Sequence, residues 1–345
     1  MTRWAVILAG GVGSRFWPLS TLTRPKQLLP LVNDEPLLSN TIGRLGDIVP
    51  PERTLVLTSA SLASAVSAVA PSLPPANIIA EPKPAGTAAA LTWAAREIER
   101  RSGSEATMIC VHADWAIADD AAFRDALLAA ERVALMEQAL VTVGVVPTRP
   151  DPGFGYIQPG PETESGARSV TRFVEKPDRA RAEWMVHEGY LWNTGIFAWR
   201  VGDFLSEVRS LTPEVSDALA RHSDDGLPAF FDAVEPVSVD VGVLERSGRI
   251  RVVTGDFGWD DVGTWGALRR VKPEDSNGNV VSGDVHALDA TGNVVHAEGS
   301  TVVLYGVSDL VVVTRGGLTL VTTTDRSADL KNLIDSLPAR LRDIV

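Results

Sequence analysis

The sequence predicts an α/β protein with a doubly wound, mostly parallel sheet, followed by a small β-rich C-terminal part. Over residues 1 to about 150, short apolar runs alternate with helical patterns. The runs are nearly continuous in Val, Ile, Leu and Met, which is typical of parallel strands covered on both faces. After about residue 276, short β-rich runs recur between Gly, Asp and Asn residues. We therefore expect one domain over residues 1–270 and a second over residues 276–345.

The first domain begins with predicted βαβ units. The predicted strands are Trp4–Leu8, Thr54–Leu57, Asn77–Ile79, Thr107–Val111 and Leu140–Val145. The predicted helices are Pro36–Val49, Leu62–Ala70, Thr87–Arg101 and Ala121–Gln138. Ligands of such sheets bind beyond the carboxyl ends of the strands. The loop after the first strand and the segment after the fourth should therefore share one edge of the sheet.

The rest of the chain changes character twice. Residues from about 150 to 270 are mixed and suggest inserted antiparallel strands. The tail then resembles a small β-helix or β-roll, with predicted β-runs at Asn279–Val281, Val285–Leu288, Asn293–His296, Thr301–Gly306, Leu310–Val313 and Leu318–Thr322. A terminal helix follows from the apolar spacing between Leu330 and Ile344, and Pro338 should kink it or start a new turn. The tail could form a homodimer interface or cap the chain's own core.

Composition excludes several classes of partner. The 345 residues carry a net charge of -12, which argues against nonspecific binding to nucleic acid or to an anionic membrane. The single cysteine, Cys110, permits no internal disulfide and fits a reducing compartment. No apolar run approaches the roughly 18 residues of a transmembrane helix. We expect a cytoplasmic protein that acts on small molecules.

A glycine-rich stretch directly after the first strand is the most informative segment. Gly10, Gly11 and Gly13 let the backbone turn sharply and bring its N–H groups close to a ligand. Such a run of amides forms an anion-binding nest. Arg15 and Lys26 add a forked donor and a mobile point charge, which suit phosphate oxygens. The stretch therefore predicts a polyphosphate ligand.

Two better-known phosphate loops do not match this stretch. A Walker loop needs Gly-Lys at a spacing that is absent, and the dinucleotide fingerprint needs glycine where Phe16 stands. A lone glycine turn could also be a simple βα connection. The full string GGxGxRxWPLS…PKQ is more specific, and it resembles the signature of sugar-1-phosphate nucleotidyltransferases. Its Trp17–Ser20 and Pro25–Gln27 elements favour the mannose-1-phosphate guanylyltransferase (GDP-mannose pyrophosphorylase) branch.

The resemblance implies a Rossmann-like, GT-A-like catalytic domain and a set of nucleotide-binding residues. Glu81 begins a segment similar to the family's E-P-x-x-x-x-T-A loop, which reads guanine. A carboxylate can accept from the N1–H and 2-amino edge of that base. Thr87 could equally be the N-cap of the next helix, and both roles can hold. The implied residues are Leu8, Ala9, Gly10, Gly11, Gly13, Ser14, Arg15, Glu81, Gly86 and Thr87.

Two aspartates are candidates for a metal site. Asp114 follows the fourth strand, and Asp261 lies in a turn rich in Gly and Trp. Either alone would more often be a cap or turn residue, but Mg²⁺ usually takes one or two carboxylates plus substrate phosphates. The resemblance implies that both hold Mg²⁺, and Asp260 is expected to be solvated. The chain departs from the family at His112 and Trp115, where Pro and His are usual.

Three later segments resemble the family's sugar-phosphate motifs GYI, F-x-E-K-P and W-N-[ST]-G-I-F. Glu175 and Asn193 can hydrogen-bond hydroxyls, and Lys176 can bind a phosphate. The implied sugar-phosphate residues are Gly155, Tyr156, Glu175, Lys176, Asn193 and Gly195. The segment around Asp240 also resembles a family segment, and we interpret it as structural.

The resemblance implies transfer of GMP from GTP to α-D-mannose 1-phosphate, with Arg15, Lys26 and Lys176 as the catalytic cations. Two alternatives remain. One is a related nucleotidyltransferase that uses another sugar 1-phosphate, such as a heptose, or another nucleotide. The other is a catalytically silent regulatory homologue that only binds nucleotide-sugar. Retention of the charged set argues against the silent homologue, because a mere binder need not keep all of it.

Overall fold

The computed structural model describes residues 1–11, 14–222 and 224–342. The chain forms two compact units, each assembled from separate segments. The first unit comprises Met1–Gly10, Ile42–His112 and Asp119–Trp259, and the second comprises Gly11–Thr41, Ala113–Ala118 and Asp260–Val345.

A mixed sheet is the centre of the first unit. Nine strands of the described chain form it: β1 (Arg3–Leu8), β2 (Thr54–Ser59), β3 (Ile78–Glu81), β4 (Thr107–His112), β5 (Leu140–Val145), β6 (Gly155–Glu162), β7 (Arg168–Glu175), β8 (Leu191–Arg200) and β9 (Ile250–Gly255). Their order is β3-β2-β1-β4-β8-β5-β9-β7-β6. Strands β3, β2, β1 and β4 are parallel, as are β5 and β9. The α/β class is confirmed, but the sheet is more mixed than the mostly parallel one predicted, because β8 runs antiparallel between β4 and β5.

The β1 and β4 strands behave as their apolar sequences predict. Their central residues are fully buried, as expected for strands covered on both faces. The register pairs Leu8 with His112, so both strands end at the same edge of the sheet. That shared edge confirms the predicted placement of the two strand ends.

Helices lie between these strands along the chain. They are α1 (Leu37–Leu45), α2 (Ala63–Val69), α3 (Gly86–Ser102), α4 (Asp120–Glu137), α5 (Arg179–His187), α6 (Val201–Leu211), α7 (Pro213–His222) and α8 (Leu227–Ala233). The predicted first helix is too long, because the chain turns at Gly46, whose N–H bonds to the carbonyls of Ile42 and Gly43. The other predicted helices agree with α2, α3 and α4 to within a residue at each end.

The second unit contains a smaller sheet. Its strands are β10 (Val280–Leu288), β11 (Val294–Tyr305), β12 (Leu310–Arg315) and β13 (Leu318–Thr323). Strands β10, β11 and β12 are parallel, and β13 is antiparallel to β12. Buried Asn279 and Asn293 stack at the strand starts, with Asn293 Nδ2 donating to Asn279 Oδ1 at 2.9 Å. These parallel rungs confirm a β-helical tail, although six predicted runs form only four strands.

Short helices complete the second unit: α9 (Leu268–Val271), α10 (Leu330–Ser336) and α11 (Ala339–Arg342). Pro338 separates the last two, as predicted from its missing N–H. Within the described ranges, no helix combines the length and apolar character needed to cross a bilayer.

The Trp17–Ser20 element packs on the β-rich sheet within this unit. Phe16, Trp17 and Trp265 share one core with valines of β10, β11 and β12. The Trp265 indole N–H donates to the Trp17 carbonyl at 3.2 Å, and Arg315 Nη1 donates to the Leu19 carbonyl at 2.6 Å. The tail therefore anchors the segment that connects the glycine-rich stretch to Lys26.

Candidate active site

Lys26, in the second unit, contacts both residues that were predicted to bind the metal. It opens a short 3-10 helix after Pro25 and is only 6% exposed. Its Nζ donates to Asp114 Oδ2 at 3.1 Å and to the backbone oxygen of Asp261 at 2.5 Å. A buried ammonium needs such partners, since burial without them is costly. The same lysine thus joins the two segments that carry the candidate metal ligands.

A backbone bridge explains how two distant segments reach Lys26. Ala116 and Asp260 pair in both directions, with N–H···O distances of 2.9 and 3.1 Å. Asp114 lies just before this bridge and Asp261 just after it. Val262 is buried with φ at +46°, and its N–H bonds to Asp260 Oδ1 at 2.8 Å. The turn that presents Asp261 is therefore fixed from both sides.

The expectation that Asp260 is solvated is wrong. Its carboxylate is buried and takes a forked contact from Arg270, with Nε at 2.5 Å from Oδ2 and Nη2 at 2.9 Å from Oδ1. Such bidentate pairs are strong and directional. Asp260 therefore shapes the turn, while the neighbouring Asp261 side chain is 27% exposed.

The described part of the glycine-rich stretch is held by a side chain that the sequence analysis did not select. Buried Gln27 donates from Nε2 to the Gly11 carbonyl at 2.9 Å. Ser14 begins a 3-10 turn that carries exposed Arg15. Gly13, predicted to bind nucleotide, lies outside the described residues. Gln27 was visible in the PKQ element, but nothing in the pattern indicated that it would bind the loop backbone.

Gly263 separates the Asp261 carboxylate from Arg15. A Cβ added there would lie 2.4 Å from Asp261 Oδ2 and 3.3 Å from Arg15 Nη1. Both are ends of side chains, so the fold can absorb the methyl group by moving them.

We expect Gly263→Ala to lower kcat by about tenfold or more, because displacing a charged catalytic group by about 1 Å strongly lowers the reaction rate. The melting temperature should stay near that of the wild type. Steady-state kinetics and thermal denaturation check this, with Gly248→Ala as control since its Cβ meets no atom within 4 Å. Equal kinetics for Gly263→Ala and the wild type would contradict the placement of Asp261 and Arg15.

The base-binding candidates lie in the first unit, beside the end of β1. Leu8 and Ala9 are buried, and the Ala9 N–H bonds to the Leu57 carbonyl at 2.8 Å. The Glu81 carboxylate lies 4.0 Å from the position of a Cβ at Gly10. Burial raises the pKa of Glu81 to about 7. Glu81 is therefore a desolvated carboxyl group at the start of the glycine-rich stretch.

Gly86 and Thr87 hold α3 against a neighbouring segment. Gly86 has φ at +80° and lies against the backbone of Val237. Thr87 Oγ1 accepts from the N–H of Val239 at 2.9 Å. Its interpretation as an N-cap is wrong, since α3 already begins at Gly86 and the cap residue Ala85 has no side-chain cap bond. The hydroxyl fixes a tertiary contact instead of the helix start.

The sugar-phosphate candidates meet around Gly155, also in the first unit. In the sheet, Gly155 pairs with Glu175 on one side and Asn193 on the other. A Cβ at Gly155 would lie 2.7 Å from Glu175 Oε2 and 3.4 Å from Asn193 Cβ, so glycine keeps this space open. Exposed Lys176 has φ at +45°, and its Nζ lies 2.7 Å from Glu175 Oε1.

A bulge in β8 directs the Asn193 side chain. The register with β5 shifts beside Asn193, and Gly195 follows with φ at +74°. Bulges of this kind re-aim side chains next to active sites. Tyr156, by contrast, is fully buried and its hydroxyl exchanges hydrogen bonds with the Asp151 backbone. Its predicted role in sugar binding stays a prediction. Because the ring is buried, that role would belong to the backbone of Tyr156.

Asp240 is a candidate that the sequence analysis missed. The segment was interpreted as structural, yet Asn193 Nδ2 donates to Asp240 Oδ1 at 3.0 Å. Burial, reinforced by the charge of Glu175, raises the pKa of Asp240 to about 6. Only the resemblance of its segment could have signalled it, because a lone Asp in a turn is common.

The donor set in the second unit suits a divalent cation that shares its shell with substrate. Asp114 and Asp261 expose 38% and 27% of their side chains. Among the described residues, no group of three or more His, Cys, Asp and Glu side chains is arranged to hold a metal. Two carboxylates leave coordination positions for water and phosphate oxygens, as hard cations such as Mg²⁺ prefer.

Comparison with known proteins defines the class. The nucleotidyl transferase family model matches residues 4–278, and a MannoseP isomerase/GMP-like beta-helix domain model matches residues 275–337. The chain therefore belongs to the nucleotidyl transferase family. This family uses a nucleoside triphosphate and a sugar phosphate, and generally a divalent metal.

Individual members of the family match this chain over nearly its whole length. Mannose-1-phosphate guanylyltransferases of Klebsiella pneumoniae and Escherichia coli are each 36% identical over 98% of this chain and 74% of their own length. A crystal structure from Thermus thermophilus, named a mannose-1-phosphate geranyltransferase, is 36% identical with a TM-score of 0.90. The match covers 97% of this chain and 99% of that one. The predicted family resemblance is confirmed.

Proposed function

We propose that the protein transfers GMP from GTP to α-D-mannose 1-phosphate, with Mg²⁺, to give GDP-mannose and pyrophosphate. The observation that carries this proposal is the buried Lys26 ammonium, which binds the Asp114 carboxylate and the backbone oxygen of Asp261. The proposal is supported by relatives named mannose-1-phosphate guanylyltransferases, which match nearly the whole chain.

The reaction is a displacement at the α-phosphorus. A phosphate oxygen of the sugar phosphate forms a bond to the α-phosphorus, the bond to the β-phosphate breaks, and pyrophosphate leaves with the electron pair. The attacking oxygen is already ionised near neutral pH, so no general base is needed. Catalysis then depends on positioning and on charge stabilisation. Mg²⁺ bound at Asp114 and Asp261 would neutralise charge on the α-phosphate.

The cations of the chain have separate roles in this proposal. Arg15 and the amides of the glycine-rich stretch bind the departing β- and γ-phosphates. Lys26 and Lys176 screen the two phosphates that must approach each other. Lys26 is already fixed by Asp114 and Asp261, so its charge is placed before the substrate arrives. Such preorganisation costs no rearrangement during the reaction.

Base recognition should depend on the ionisation of Glu81. With a pKa of about 7, Glu81 is mostly neutral at pH 6 and mostly ionised at pH 8. Because the carboxylate accepts from guanine N1–H, we expect KM for GTP to fall as the pH rises through 7. Glu81→Gln should remove this dependence and raise KM at pH 8 by about tenfold.

The measurement is KM for GTP from pH 6 to pH 8 in both proteins. Ionisation of GTP itself cancels in the ratio of variant to wild type. Exposed Glu52 provides the control Glu52→Gln. A ratio that does not change with pH would contradict the role of Glu81.

We also propose that residues 1–270 form the catalytic domain and residues 276–345 the β-rich domain. The two family models meet at residues 275–278, which supports this boundary. The acidic net charge of -12 supports a cytoplasmic protein that acts on small molecules, without nucleic-acid or membrane partners. A homodimer through the tail stays a prediction, which sedimentation of the purified chain can test.

Identification of the products tests the proposed reaction. Incubation with GTP, mannose 1-phosphate and Mg²⁺ should give GDP-mannose and pyrophosphate in equal amounts, resolved by ³¹P NMR. Omission of Mg²⁺ should abolish both products. GDP-mannose binding without any turnover would contradict the proposal and favour a regulatory homologue.

A further inference from the structure

Asp240 lies beside the sugar-phosphate candidates in the first unit. It opens a π-helical turn (Asp240–Leu244), a rare geometry that is frequent at functional sites. Its carboxylate oxygen Oδ1 accepts from Asn193 Nδ2 at 3.0 Å. This contact joins the turn to β8 at the residue that the resemblance implies in sugar binding.

The Asn193 amide is held from two sides. Its Nδ2 faces Asp240, and its Oδ1 accepts from Thr142 Oγ1 at 2.9 Å. Asn193 Oδ1 also accepts from the Gly195 N–H at 3.5 Å. An amide has two N–H donors and two acceptor sites, so these bonds leave one N–H for another partner. Since a carboxylate can only accept and the other end is engaged by Thr142, the amide has a single favoured orientation.

Several other charged side chains lie near Asp240. Glu175 and Lys176 at the end of β7 both act electrostatically on Asp240, the first raising its pKa and the second lowering it. Glu245 directly follows this turn, and burial raises its own pKa. With a pKa of about 6, Asp240 is ionised at pH 8 and largely neutral at pH 5. A neutral carboxyl group can also donate, and it then no longer fixes the direction of the amide.

We propose that Asp240 is a positioning residue for the sugar phosphate: its carboxylate orients Asn193 so that the amide presents one N–H donor in a fixed direction to a hexose hydroxyl. This inference rests on the proposed function, because it assigns Asn193 to the sugar. Asp240 acts through Asn193 and does not take part in the bond changes at phosphorus.

Two variants of Asp240 test this assignment. Asp240→Ala should raise KM for mannose 1-phosphate by about tenfold, as for loss of one oriented hydrogen bond, with KM for GTP changed by less than about twofold. Asp240→Asn keeps the size but can donate or accept, so it should show a smaller rise. Exposed Glu235→Gln is the matched control and should change neither constant.

The pH dependence separates positioning from a merely structural role. We expect the ratio of the KM for mannose 1-phosphate in Asp240→Asn to that in the wild type to fall towards one between pH 8 and pH 5. The ratio is used because the substrate phosphate also ionises near pH 6, and its contribution cancels. A flat ratio, or an equal rise of both KM values, would overturn the inference, provided that melting curves show folded variants.

The two proposals fail in different ways. Absence of turnover by the wild type with any sugar phosphate would contradict the proposed function. Normal wild-type turnover with an unchanged KM in both Asp240 variants would contradict the positioning role alone. Calorimetric titration with mannose 1-phosphate provides a readout independent of turnover, and equal affinities in wild type and Asp240→Ala would also overturn the inference.

Discussion

Asp261→Asn should lower kcat by about 10²–10³-fold, the scale of losing one preorganised charge contact in a phosphoryl-type transition state. The substitution removes the negative charge but retains the size of the side chain. Lys26 binds the backbone oxygen of Asp261, so that bond should survive the change of side chain. The loss should therefore report on the proposed metal site and not on the position of the lysine.

Two neighbouring carboxylates provide contrasts for this variant. Exposed Asp256 lies shortly before Asp261, and Asp256→Asn should leave kcat unchanged. Asp260→Asn weakens the pair with Arg270 and should lower the melting temperature. Turnover in each variant is measured over a range of Mg²⁺ concentrations. Near-wild-type turnover by Asp261→Asn would defeat its assignment as a metal ligand.

Gly86→Ala should destabilise the protein by about 3–5 kcal/mol, at the upper end for single substitutions. A Cβ at Gly86 would lie 2.2 Å from the Val237 oxygen and 2.7 Å from its carbonyl carbon, and these backbone atoms cannot rotate away. The positive φ of +80° adds about 1 kcal/mol for any L side chain. Urea denaturation measures the change in the free energy of unfolding.

Gly103 is a matched control for Gly86. Its φ is +82°, yet a Cβ there meets no atom within 4 Å. Gly103→Ala should therefore cost only the conformational part, about 1 kcal/mol. Equal losses in the two variants would show that the contact with Val237 does not matter.

The apolar runs were sufficient to predict the existence and order of the first five strands and four helices. The predicted strand Leu140–Val145 has the same bounds as β5, whose six residues are all buried, while the apolar Val146 that follows is exposed. The tail was harder. Its predicted runs Asn279–Val281 and Val285–Leu288 are one strand, β10, that passes through an irregularity between Gly283 and Val285. Glycine in a strand signals a break or a bulge equally well, and the pattern alone does not distinguish them.

The sequence predicted which charged residues of the second unit belong to the candidate site. It did not predict which side chains each of them contacts. Lys26 Nζ binds the Asp114 carboxylate and the backbone oxygen of Asp261, so the two segments that carry the candidate metal ligands meet at one lysine. Asp260 was expected to be solvated, but it pairs with Arg270 ten residues away, a contact that no local pairing rule predicts. The contact of Asp240 with Asn193 spans 47 residues and likewise depends on the tertiary fold.

Pyrophosphate release is the measurement that tests the central claim most directly. Mannose 1-phosphate and glucose 1-phosphate are each compared with GTP, ATP, UTP and dTTP in the presence of Mg²⁺. The proposed function predicts the highest kcat/KM for GTP with mannose 1-phosphate. A preference for another pair would contradict it and direct attention to His112 and Trp115, where this chain departs from the pattern usual in its family.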